Sequence, residues 1–208
     1  MKKFSLKLNR TSLVFIILIV FVLLTGILVA LVFQGGADPE EKARESVTAS
    51  FDALKAGDFA TAGAYIPDIS KAATSLQENA SIDQEQADSL MKALFSHFDY
   101  EILETERIDS TSAKVKVKIR NADMASVVAA WREGLVSIAT KKAKEKDEAI
   151  RAAMVSDLVK RMESTEEVTE TTIKVKVERV VKDDEEQWLP KLTPKQFSSL
   201  LGGLDQAF

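Results

Sequence analysis

From Leu13 to Phe33 the chain runs 21 residues without a charged side chain, and no charge occurs between Arg10 and Asp38. Wound as a helix at about 1.5 Å per residue, the run is roughly 31 Å long, which matches the hydrocarbon core of a bilayer. It is read as a transmembrane helix over residues 13–33. It follows a short basic segment, residues 1–12, and precedes a linker, residues 34–38. Residues 39–208 are then one domain. A cleaved leader is the alternative, since Gly35 and Ala37 stand at the −3 and −1 positions of a cut before Asp38. Leaders usually have a shorter apolar core, of about 7–15 residues, so length favours a retained anchor.

Charge sets the expected orientation. Lys2, Lys3, Lys7 and Arg10 precede the run with no acid among them, and Asp38, Glu40 and Glu41 follow it. Positive charge stays on the cytoplasmic side. The expectation is a single-pass cell-membrane protein with its N-terminus inside and residues 39–208 extracytoplasmic. Lipid attachment as a bacterial lipoprotein needs a cysteine, and the sequence has none. Stability must then come from packing without disulfides, which fits a bacterial envelope better than a eukaryotic exterior.

Setting aside the four basic residues of the first ten leaves 24 basic against 32 acidic residues, a net charge of −8. Such a domain is a poor partner for nucleic acid or for anionic lipid headgroups. About 170 residues suffice for one domain with a real core.

Asp38-Pro39-Glu40-Glu41 predicts a helix start, with Pro in the first turn. Ala43, Val47, Phe51 and Leu54 continue it as one stripe up to Gly57. Asp58 opens a short helix to about Ile66, Pro67 breaks it, and residues 70–80 are only weakly helical. Ser81 with Gln84 reads as a capping pair before the stripe Ala87, Leu90, Met91, Leu94 and Phe98. Tyr100 to Ile108 then reads as a strand and Asp109 to Ser112 as a turn. Ala113, Val115, Val117 and Ile119 alternate with Lys114, Lys116, Lys118 and Arg120, a strand with one buried and one wet face. Two registers are open for this hairpin. One sets Glu104 and Glu106 against the lysines, and the other sets Ile108 with the valines.

Asn121 is expected to cap a long helix over residues 122–163. No Gly or Pro interrupts its charged middle from Thr140 to Glu148, so one helix is preferred over two. Ile173, Val175 and Val177 alternate next, and the slip at Glu178-Arg179 suggests a bulge. Gln187 to Leu192 returns as a strand, with Pro190 near an edge or end. Thr193 with Gln196 caps a last helix. The fold class is α+β, a curved antiparallel sheet of about four strands packed against helices.

Three stretches, Val47–Ile66, Ile108–Ile119 and Ile173–Leu204, carry a resemblance. The chain over about residues 40–208 resembles the nuclear-transport-factor-2-like (cystatin-like, cone-shaped) envelope domains found in Gram-positive bacterial lipoproteins. Here a span stands where those have a lipidated cysteine, and the helical stretch 122–163 is longer than that fold requires. The resemblance implies a cone with a pocket between sheet and helices. Some members of the superfamily are enzymes that use a Tyr and an Asp inside the cone.

The candidate pocket-lining residues are Tyr65, His97, Tyr100, Trp131 and Trp188. Each also has a plain reading. His97 is the only histidine and sits at a helix end, and the two tryptophans are large enough to be core. Tyr65, Tyr100 and Asp99 are the comparable groups for a Tyr–Asp mechanism, but spacing does not bring them together. The lysine row on the alternating strand reads first as a solvated face. It also matches an anionic polymer such as a wall teichoic acid. No phosphate loop, Gly-x-Ser-x-Gly, His-Glu-x-x-His or calcium loop occurs, so no cofactor, metal or catalytic residue is expected. The function expected is a membrane-anchored, non-catalytic binding or assembly domain, contacting the bilayer through residues 13–33 and a protein or small ligand outside it. The alternative is a small-molecule enzyme or carrier using the conical pocket.

Overall fold

The computed structural model describes residues 38–80, 82–182 and 184–207. Residues 1–37, read as basic tail, span and all but the last residue of the linker, and the Ser81 cap lie outside the described residues. Among the described residues no helix is long and apolar enough to cross a membrane.

Pro39–Phe208 forms one compact unit, α+β, whose sheet has four antiparallel strands in the order β1-β2-β3-β4. Helix α1 (Pro39–Ala56) buries Ala43, Val47, Phe51 and Leu54 completely. At about 1.5–3 kcal/mol for each large side chain, this stripe fixes α1 against the sheet. The helix ends where Gly57 turns to φ 73° and Asp58 N–H reaches back to the Ala53 carbonyl at 2.8 Å, the hydrogen bonding of a Schellman stop. Asp58 then caps α2 (Phe59–Tyr65) by accepting from Thr61 N–H. Pro67 breaks the chain of helical residues as expected, since α2 ends at Tyr65 with Ile66 as its C-cap. It opens α3 (Pro67–Ala80), where its missing N–H is no loss. The cap of α4 (Gln84–Leu94) is Asp83, boxed with Gln86.

Strands β1 (Asp99–Arg107) and β2 (Ser112–Ala122) form the first hairpin, with Glu104 opposite Lys116 and Glu106 opposite Lys114. That is the carboxylate-against-lysine register. It coexists with apolar pairing further along, Tyr100 opposite Ile119 and Ile102 opposite Val117, because a bulge at Leu103 shifts the parity. The expected bulge at Glu178-Arg179 is absent. Strand β3 (Val168–Lys182) simply outruns β2 after Glu178 and continues against β4 (Glu185–Lys191), where Val181 is 64% exposed. Beyond the core, inward and outward parity no longer decides burial.

The long helix is in fact two, α5 (Met124–Lys141) and α6 (Asp147–Ser164). Lys146 takes an extended backbone (φ −68°, ψ 150°), and Asp147 and Glu148 fill the first turn of α6, where the helix dipole favours acids. The charged stretch between them has no apolar stripe to dock, so the chain can fold back there without exposing a core. Asn121 is not the cap, since Asp123 accepts from Ala125 and Ser126 N–H. Asn121 is fully buried in β2, and its amide donates to the Leu94 and Leu200 carbonyls at 3.0 and 2.9 Å. It thereby ties α4 and α7 (Pro194–Leu200) to the sheet. Thr193 and Gln196 make the expected capping box of α7, and a 3-10 turn, Leu204–Ala207, follows. Gly202 is obligatory between them: its φ is 65°, and a Cβ would lie 1.9 Å from the Ala122 carbonyl oxygen.

Candidate functional site

Alternation gives the sheet a buried inner face, which includes Val115, Val117, Val175, Val177 and Trp188, and α1 lies across it. Where α1 and α2 meet the edge strand β4, they leave an open cleft of about 400 Å³. Lys42, Glu45, Ser46 and Ala49 come from α1, Ala64 and Tyr65 from α2, and Glu186 to Leu189 from β4. The Trp188 side chain forms the apolar wall. Its backbone carbonyl accepts a short hydrogen bond from the buried Ser46 hydroxyl, and its indole N–H donates to Glu186 Oε1 at 3.0 Å. Arg179 reaches the other oxygen of Glu186 at 3.4 Å. On the rim, Lys42 pairs with Glu45 at 2.8 Å, and that hydrogen bond holds the Lys42 ammonium above its ordinary range.

The cleft gathers two of the five sequence candidates, Tyr65 and Trp188. The other three lie elsewhere. His97 Nε2 is 3.2 Å from the Glu163 carbonyl, which can only accept, so Nε2 carries the hydrogen and ties the end of α4 to the end of α6. The Trp131 indole N–H donates to the Met154 carbonyl at 3.0 Å and joins α5 to α6. The Tyr100 hydroxyl donates to Asp52 Oδ1 at 2.8 Å, and its ring meets Phe51 edge-on with centroids 5.3 Å apart. Burial first, then Asp52, pushes the phenol up to about 12.

The partners of the Tyr100 hydroxyl are Asp52 and the Thr48 carbonyl, and Asp99 is not among them. Its carboxylate takes a hydrogen bond from Lys55 Nζ at 2.8 Å, which lowers its pKa, and the Tyr100 backbone N–H adds to the effect. Among the described residues no group of three or more His, Asp or Glu is arranged to hold a metal.

The sequence reading missed Ser46, Glu186 and the Lys42–Glu45 rim. Ser46 carried a signal, because it falls on the same helical face as Ala43, Val47 and Ser50. Most buried hydroxyls are hydrogen-bonded, commonly to a backbone carbonyl. No protein-family model, no curated protein and no solved structure matches the chain.

Proposed function

We propose that residues 39–208 are a binding domain without catalytic activity, held outside the cell membrane by a single span over residues 13–33 with the N-terminus in the cytoplasm. The observation that carries this reading is the cleft of Tyr65 and Trp188. It is an open cleft in which Tyr65, Trp188 and Leu189 stand beside the polar Lys42, Glu45, Ser46, Glu186 and Gln187, a mixed lining that suits a small amphipathic ligand. Two of its polar groups, Ser46 and Glu186, hold Trp188 in place. Ser46 donates to the Trp188 carbonyl, and Glu186 is shared by Trp188 and Arg179.

The cone-shaped, nuclear-transport-factor-2-like reading is supported by the four-stranded antiparallel sheet with α1 and α7 against one of its faces. The bilayer reading rests on the length of the uncharged run and the basic segment before it.

Full-length protein in detergent micelles, incubated with small molecules extracted from envelope material, tests the reading by native mass spectrometry. Compounds are expected to bind and to be recovered unchanged. Ala64→Trp, which sets an indole across the mouth of the cleft, is expected to weaken binding by at least about tenfold, or about 1.4 kcal/mol. Steady turnover that disappears in Asp99→Asn or Tyr100→Phe identifies an enzyme and overturns the proposal.

A further inference from the structure

On the outer face β1 sets Glu104 and Glu106 against lysines of β2, while β2, β3 and β4 set lysine against lysine. Lys114 on β2 stands opposite Lys176 on β3, Lys116 stands opposite Lys174, and Lys176 also faces Lys191 on β4. Like charges directly opposed across a ladder destabilise it. Here the opposition repeats in a chain whose residues 11–208 carry a net charge of −8. Two of the five lysines are partnered, Lys176 with Glu178 at 2.6 Å and Lys116 with Glu104 at 3.9 Å. Lys114, Lys174 and Lys191 are exposed and make no ion pair among the described residues. With strands about 4.8 Å apart and alternate residues about 6.6 Å apart, these three surround Lys176 in a patch roughly 10 Å across.

We infer that this face binds a slender, flexible polyanion that carries repeated phosphate groups and no bases. Charge complementarity selects an anion, and ammonium groups serve phosphate as point charges. The narrowness of the patch selects a thin chain. A broad anionic surface, such as a bilayer or a nucleic-acid duplex, would also meet the repulsion of the acidic remainder. Single-stranded nucleic acid relies on aromatic side chains for stacking. The strands hold two, and neither is offered outward: the Tyr100 hydroxyl is bound to Asp52 on α1, and Trp188 is buried. The patch shares no residue with the cleft, so it stands independently of the function proposed above.

Full-length protein in neutral-detergent micelles, titrated with linear inorganic polyphosphate, tests the inference. Binding is expected, and it falls roughly twenty-fold between 50 and 200 mM salt, as contact with about three phosphates requires. The triple variant Lys114→Gln, Lys174→Gln, Lys191→Gln loses at least about tenfold in affinity, and each single variant loses about threefold. The triple variant melts no lower than the parent, because opposed like charges have been relieved; should it melt lower, the single variants decide. Undiminished binding by those variants overturns the inference. So does equal or tighter binding of polyglutamate, single-stranded DNA or phosphatidylglycerol vesicles. Ala64→Trp leaves polyphosphate binding unchanged, so failure of the cleft and failure of this face are told apart.

Discussion

Tyr100 shows how far a single side chain reaches in this fold. Its hydroxyl finds Asp52, 48 positions earlier in the chain, and its ring packs against Phe51. The neutral phenol belongs to the folded state, where its pKa is pushed up to about 12, against about 10 in an unfolded chain. A raised pKa gives a contribution that is fully present below about pH 10 and is lost as pH rises through about 12. A phenolate absorbance titration of the wild type minus that of Tyr100→Phe should therefore show a midpoint near 12. A midpoint near the ordinary value contradicts the Tyr100–Asp52 contact. Asn121 makes a related point about reading single residues. Its position before a helical stripe suggested a cap, but it is a core clamp between two helix ends. Nothing local marks that role, because Leu94 and Leu200 lie 27 and 79 positions away.

At the scale of elements, local chemistry was most legible where all partners lie within one turn. The Thr193–Gln196 box, the Gly57 stop and the Lys114–Arg120 alternation are all of this kind. The pair α5 and α6 was not, since its break depends on which surfaces find a partner. Only Met124, Val127 and Val128 of α5 and Met162 of α6 are buried, and Val136 is 74% exposed. The far ends of both helices rest largely on each other, so they should open more easily than α1. Lys146 also starts α6 without a side-chain cap. Lys146→Ser is expected to supply one, worth about 0.5–1 kcal/mol. Amide exchange should slow in the first turns of α6 and stay unchanged in α1; equal protection in both variants means that the α6 start does not limit opening.

At the scale of the whole molecule, the proposed anchor and the domain make separable claims. A full-length chain held by residues 13–33 stays with the membrane through an alkaline carbonate wash, and deletion of residues 1–37 releases it. Protease added outside intact cells should degrade the domain. Release of the full-length chain by the wash, or full protection from the protease, counts against the anchor or its orientation.

The sequence by itself determined the α+β class, the order of helices and strands, and the acid-rich balance of the domain. These follow from periodicity and composition, which act within a few residues. Only the tertiary structure decided the bulge at Leu103, the fold-back at Lys146, the meeting of Tyr65 with Trp188, and the opposition of lysines across β2, β3 and β4. Each of these depends on which distant segment supplies the other half of a contact. That choice is made by the burial of whole faces, to which no single stretch of chain holds the key.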